Sequence, residues 1–257
     1  MTMFQTNLLG VGVLLALAAA LVVWIVIAVR RMPFKPVQSV LYGVNYVLAR
    51  VLWRAEVQGS LSLPPGQGAV IVCNHHGPVD PSFLYLATHR VVYWMVAKEY
   101  VENPALGWVL RRIGAIPVNR KGADTAAIRM AIRYAQNGGV VGLFPEGRIN
   151  TSKMLLLPGH PGAALIALRT RVPVVPCYVS GSPSTDTAIG PLVTPAKARL
   201  VIGEPIDLSA YYGREGEREV REELTRRFLR EIARLAGEPD FEPQLAGRQE
   251  VPRFFRS

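Results

Sequence analysis

With only two cysteines in 257 residues, Cys73 and Cys177, no disulfide framework is available to staple a small secreted scaffold. Both sit in apolar runs, where a free thiol packs as a small hydrophobe, so a reduced, cytoplasmic setting is expected for the folded part. The chain has no Gly-x-Ser-x-Gly elbow and no His-x-x-Glu-His spacing. A serine acyl-enzyme and a zinc hydrolase therefore lack their usual signatures. Zinc-knuckle, aromatic-basic and helix-turn-helix patterns are missing too, so no nucleic acid is expected as a partner. There is no internal repeat. Acidic residues are sparse, 19 against 29 Lys and Arg, and the net charge of +10 favours an anionic partner. An anionic membrane lipid, a phosphorylated substrate or an acidic carrier protein would each suit it.

What is plentiful is apolar: half of the residues are hydrophobic. Residues 8–29 contain no charge and, as a helix rising about 1.5 Å per residue, would cross a bilayer. No Lys or Arg precedes the run, whereas Arg30, Arg31 and Lys35 follow it. That order predicts an uncleaved transmembrane anchor over residues 1–36, with the rest of the chain on the cytoplasmic side of the inner membrane. A helix entering one leaflet only is the alternative. Residues 37–54 place Val40, Leu41, Val44, Val47, Leu48, Val51 and Leu52 at helical spacing, an amphipathic, interfacial helix. Tyr42, Tyr46 and Trp53 would suit the headgroup level, with Arg50 and Arg54 near lipid phosphates.

Between residues 55 and 237, apolar runs of strand length alternate with helical periods. Strands are expected at 55–59, 69–72, 91–97, 115–119, 140–144, 172–179 and 198–202. Helices are expected at 81–89, 104–113, 123–137, 161–169 and 215–235. The alternation predicts an α/β fold, a layered mixed sheet flanked by helices. Residues 238–257 read as an irregular basic tail.

The candidate chemistry lies where the run at 69–72 ends, in Cys73-Asn74-His75-His76-Gly77-Pro78-Val79-Asp80-Pro81. His75 can take a proton near neutral pH, and Asp80 can fix its tautomer and stabilise the imidazolium. Gly77-Pro78 breaks any continuous helix, which lets Asp80 fold back on the ring. Asp80 before Pro81 also has the form of a helix N-cap. Asn74 could donate to an oxyanion or cap the turn, and His76 reads as a bystander.

The Asn-His-x-x-x-x-Asp pattern resembles the signature of the glycerolipid acyltransferases, the 1-acylglycerol-3-phosphate O-acyltransferase (PlsC-like) family. Three further blocks follow in the family's order: Gly114-Ala115-Ile116-Pro117-Val118-Asn119-Arg120, Phe144-Pro145-Glu146-Gly147-Arg148 and Val172-Pro173-Val174-Val175-Pro176. The resemblance spans most of residues 58–205 and makes residues 55–237 the acyltransferase domain. It implies His75 and Asp80 as the catalytic pair. It also implies acceptor binding by Gly114, Ile116, Arg120, Glu146, Gly147 and Arg148, with Arg120 meeting a phosphate. Gly77 departs from the Ser found in many members. The implied reaction moves a fatty acyl group from acyl-CoA or acyl-ACP, as co-substrate, to a lysophospholipid acceptor. The expected acceptor is 1-acylglycerol 3-phosphate, giving phosphatidic acid; another lysolipid, such as a lyso-ornithine lipid, is the alternative. No further cofactor and no metal are expected. Readings from other classes are a metal-dependent phosphoesterase using His75, His76, Asp80 and Glu146, and a non-catalytic membrane lipid-binding protein. Glu146 could equally pair with Arg120 or Arg148, and Pro176 is expected to shape a strand end.

Overall fold

A computed structural model describes residues 34–88, 90–119, 124–185, 187 and 189–247. The expected anchor at 8–29 and the end of the tail lie outside the described residues, as does Arg120. Among the described residues no helix is long and apolar enough to cross a membrane. The chain divides into two units, Met1–Gly43 and Val44–Ser257. Of the first, only the start of helix α1 (Pro36–Val47) is described, with Gln38 Oε1 accepting from the Lys35 N–H at 3.1 Å.

The second unit is built on seven strands: β1 (Glu56–Gln58), β2 (Ala69–Cys73), β3 (Val92–Ala97), β4 (Ile116–Val118), β5 (Val140–Leu143), β6 (Val174–Ser180) and β7 (Arg199–Ile202). They form one sheet in the order β1-β7-β6-β2-β5-β3-β4. From β6 to β4 every pairing is parallel, while β7 runs antiparallel to β6 and β1 pairs parallel with β7. The sheet is therefore mixed, as expected. β2 is buried at every position, which its unbroken Ala-Val-Ile-Val-Cys run requires of a strand covered on both faces. Val70 and Val72 point to one face, Ile71 and Cys73 to the other.

On the first face lie α5 (Thr125–Gln136), α6 (Gly162–Thr170) and α7 (Arg218–Leu235). The α5 stripe Ala127, Ala131, Ala135 and the α7 stripe Val220, Leu224, Phe228, Ile232 are buried there, one residue every fourth position. On the second face, Trp53 closes a π-helical turn at Leu48–Leu52 and meets Phe83 of α2 (Asp80–Leu84) edge-on at 5.6 Å. Trp53 is wholly buried and donates its indole N–H to the Pro191 carbonyl at 2.9 Å. It is therefore a core residue and not a headgroup anchor. Arg50 and Arg54 stay exposed, each donating to a carbonyl, those of Ala55 and Ala196.

Several elements are shorter than the periodicity implies. α2 stops at Leu84, four residues before Thr88, and runs into turns. The stretch expected as one helix over 104–113 is preceded by a separate turn of helix, α3 (Lys98–Glu102), before α4 (Gly107–Arg112). Asn103 separates them because its side chain accepts from the Ala105 and Leu106 N–H groups, a local turn that competes with helix continuation. Pro176 lies inside β6 and not at its end; its ring nitrogen has no N–H to give, and the ladder to β7 begins one residue later at Cys177.

Candidate active site

The carboxyl ends of the parallel strands β2, β5, β3, β4 and β6 share one edge of the sheet, and the His75 and Glu146 blocks leave from it, while the block at 172–176 enters β6 at the opposite end. Asn74, the first residue past β2, is fully buried and acts as a substitute peptide. Its Nδ2 donates to the Val179 carbonyl and its Oδ1 accepts from the Val179 N–H, each at 2.7 Å. It therefore neither caps the turn nor faces an oxyanion; it seals the end of β2 to β6.

His75 follows with its main chain held from two sides. Its N–H donates to Glu146 Oε1 at 2.8 Å, and its carbonyl accepts from the Asn150 N–H at 2.6 Å. The imidazole lies flat on Phe144, centroids 3.8 Å apart and planes 6° from parallel. Phe144 in turn stacks on Trp94 of β3 at 4.6 Å. Gly142, two residues back on β5, has no side chain to displace the Trp94 ring, which comes within 2.5 Å of where a Cβ would stand. The strands thus build a three-ring stack that fixes the plane of the imidazole.

Within that plane, His75 Nδ1 meets Asp80 Oδ2 at 2.9 Å. The same oxygen accepts from the His76 N–H at 2.7 Å and the Gly77 N–H at 2.8 Å. Asp80 is completely buried, whereas the His75 side chain keeps 16% of its exposure. Oδ2 accepts all three of these bonds and pins Nδ1–H, leaving Nε2 as the free edge of the ring. The helix-cap expectation is corrected: the α2 N-cap is Val79, with no side-chain bond, and the Asp80 carboxylate reaches backward to three donors instead of forward along the helix. His76 contributes its backbone N–H alone.

Glu146 is almost fully buried, and both of its oxygens are taken: Oε1 by His75 N–H, Oε2 by Leu157 N–H at 2.8 Å. Burial pushes its carboxyl up to about 7, against the pull of those two N–H groups. No ion pair joins it to Arg148 among the described residues, though the guanidinium favours its charged form. Glu146 is therefore a bracket between the His75 loop and the segment leading to Leu157. Gly147 is exposed at the turn with φ +68°, backed by the His160 ring, and the half-buried Arg148 follows without a hydrogen-bonded partner among the described residues.

Gly114 and Ile116 lie away from the pair. Gly114 ends α4 at φ +80°, where a Cβ would strike the Tyr93 ring at 2.9 Å, and Ile116 is a wholly buried core residue of β4. Past them β4 continues to Asn119, whose N–H is tied to Asp124 Oδ2 at 2.8 Å. Asp124 also caps α5 through the Ala126 and Ala127 N–H groups, and these backbone bonds hold its carboxyl below the usual range. Burial pushes the Cys73 thiol well up, which disfavours a thiolate there. Among the described residues no three His, Cys, Asp or Glu side chains converge as a metal site.

This sheet edge thus presents an Asp-held imidazole and a buried glutamate bracket, with the Arg148 guanidinium unbonded among the described residues. A family model described as Acyltransferase matches residues 54–180. A 1-acyl-sn-glycerol-3-phosphate acyltransferase of Bacillus subtilis is 32% identical over 152 residues, 59% of this chain and 73% of that one. A relative from Streptococcus pneumoniae with the same name is 28% identical over 54% of this chain, and an uncharacterised Mycobacterium leprae protein is 30% identical over 62%. The chain spans about half the length of those two relatives. The crystal structure of PlsC, the LPA acyltransferase of Thermotoga maritima, superposes with a TM-score of 0.58 at 23% identity, over 81% of this chain and 87% of that one, and so shares the fold. The chain belongs to the PlsC-like family of acyltransferase enzymes.

Proposed function

We propose that the protein moves a fatty acyl group from acyl-CoA or acyl-ACP to the free hydroxyl of a lysophospholipid, with 1-acylglycerol 3-phosphate as the acceptor and phosphatidic acid as the product. The observation that carries this reading is the 2.9 Å bond from His75 Nδ1 to a buried Asp80, which leaves Nε2 as a base. The acceptor hydroxyl gives its proton to Nε2 as its oxygen attacks the thioester carbonyl. Asp80 stabilises the imidazolium that forms. Collapse of the tetrahedral intermediate breaks the C–S bond, and the imidazolium returns the proton to the departing thiolate. No enzyme nucleophile is required, since the acceptor oxygen itself attacks.

Arg148 offers a two-pronged donor for the acceptor phosphate, and Arg120 is assigned the same role from its place in the Gly-x-Ile-x-x-x-Arg block. Apolar side chains at Val47, Val51, Ile189, Leu192 and Val193 are exposed, Val51 by 72% and Val193 by 73%. An open apolar groove of about 480 Å³ runs between Val47, Leu48, Val51, Leu52, Arg54 and Pro195. The α1 residue Asn45 binds the Ser82 carbonyl of α2 at 3.0 Å, which couples this surface to the helix that carries Asp80. These features support work at a membrane surface, where the lipid acceptor resides.

The test is purified full-length protein with radiolabelled palmitoyl-CoA or palmitoyl-ACP and a panel of lysolipids, read by mass spectrometry. Phosphatidic acid formation is expected to exceed every other product, and His75→Ala is expected to reduce it to background while the protein stays folded. Transfer only to acceptors without phosphate, or a fully active His75→Ala variant, overturns the reading.

A further inference from the structure

Three side-chain polar atoms of the described residues are buried without a hydrogen-bond partner: Asp80 Oδ1, Ser182 Oγ and Trp94 Nε1. The first two border the same small space beside Gly77. A Cβ built on Gly77 would stand 2.8 Å from Ser182 Oγ, 3.0 Å from the Pro183 carbonyl oxygen and 3.5 Å from Asp80 Oδ1. Oδ2 of Asp80 already accepts three bonds, so Oδ1 is the oxygen with acceptor capacity to spare. The Pro183 oxygen can only accept, whereas a serine hydroxyl donates and turns freely about its Cα–Cβ bond. Ser182 therefore holds the one donor among those atoms, two residues past the strand that Asn74 locks to the His75 loop.

We propose that Ser182 is a positioning residue for the catalytic pair: its hydroxyl donates to Asp80 Oδ1 through one water, or after a turn about its Cα–Cβ bond, and holds the carboxylate in the plane that aims Oδ2 at His75. This rests on the reading of His75 and Asp80 as the catalytic pair. Ser182 acts through Asp80 and does not touch substrate. A carboxylate left with a bare, buried oxygen swings more freely and clings more strongly to the proton of the pair. Glu146 and Cys73 also feel the Asp80 charge, and both stay in place in every variant compared.

The experiment compares Ser182→Ala, Gly77→Ser and the double variant with the wild type, by steady-state kinetics across pH and by nitrogen-15 NMR titration of the His75 imidazole. Ser182→Ala is expected to lower kcat about tenfold. The acceptor KM should stay within about twofold, because no binding contact is lost. The acidic limb of kcat/KM should move to higher pH, and the imidazole titration with it. In the double variant the 2.8 Å obstruction is removed, the Pro183 oxygen at 3.0 Å gives by a few tenths of an ångström, and a hydroxyl at position 77 reaches Asp80 Oδ1, so most of the lost rate is expected to return. If Ser182→Ala matches the wild type in kcat and in its acidic limb, the proposal fails. It also fails if the rate falls only in step with the melting temperature and the double variant does not recover. The NMR arm needs no turnover: an upward imidazole shift in a protein that transfers no acyl group would uphold Ser182 while sinking the acyltransferase reading.

Discussion

Asp80→Asn separates what the Asp80 charge does from what its shape does. In the proposed mechanism an imidazolium forms during proton transfer, with Nδ1 at 2.9 Å from Oδ2. At an effective dielectric of about 20, that pairing amounts to about 6 kcal/mol, or about four decades of rate. The partial exposure of the ring reduces this to a loss of roughly 10³ to 10⁴ in kcat. The amide oxygen still accepts from His75, His76 and Gly77, and the amide nitrogen takes the place of the unbonded Oδ1, so the fold is expected to survive. Asp80→Ala instead strands the His76 and Gly77 N–H groups, which costs roughly 2–6 kcal/mol and lowers the melting temperature by several degrees. The assay is release of coenzyme A thiol from acyl-CoA with lysophosphatidic acid in detergent micelles, alongside thermal melts of both variants. An Asp80→Asn enzyme that stays within about tenfold of wild-type kcat refutes the electrostatic role assigned to the pair.

Arg148→Ala is expected to raise the apparent KM for a phosphate-bearing lysolipid by about 10- to 100-fold with little change in kcat, since a charge-assisted bond is lost in ground and transition state alike. Equal KM values for acceptors with and without phosphate in the wild type would contradict this. Glu146 carries a pH signature in stability. Its folded value, about 7, lies above the ordinary 4.5, so the native state holds the proton more tightly than the unfolded chain does. Its contribution is intact below the lower value and is lost as pH climbs through the higher one, by roughly 3 kcal/mol in all. Urea unfolding at pH 4.5 and 8 should show this fall in the wild type and a flatter response in Glu146→Gln; a wild-type curve rising relative to the variant has the opposite sign and excludes it.

The layered mixed sheet was legible because apolar runs such as Val140-Val141-Gly142-Leu143 admit little except a buried strand, and helical stripes such as Val220, Leu224, Phe228 and Ile232 admit little except a covering helix. The His75 and Asp80 approach was legible from the Gly-Pro break between them. What escaped reading were roles carried by backbone groups at long separation. Glu146 has the look of a ligand in sequence, yet its two partners are peptide N–H groups 71 and 11 residues away. Leu157 and Asn150 contribute main-chain atoms, to which no side-chain pattern points. Ile116 and Gly114 belong to a motif associated with substrate, but in space one fills the core and the other ends a helix. Trp53 has an interfacial residue's chemistry and a core residue's position, because the Pro191 carbonyl satisfies its indole inside the protein.

The ring stack beneath His75 also has a stereochemical consequence. Phe144 covers one flat side of the imidazole and Asp80 occupies one edge. In the proposed mechanism, the hydroxyl that surrenders its proton comes in level with the ring, toward the opposite nitrogen. Such a corridor would favour the alcohol at one end or branch of a glycerol over its neighbours by direction of approach alone, before any contact with the rest of the lipid is made.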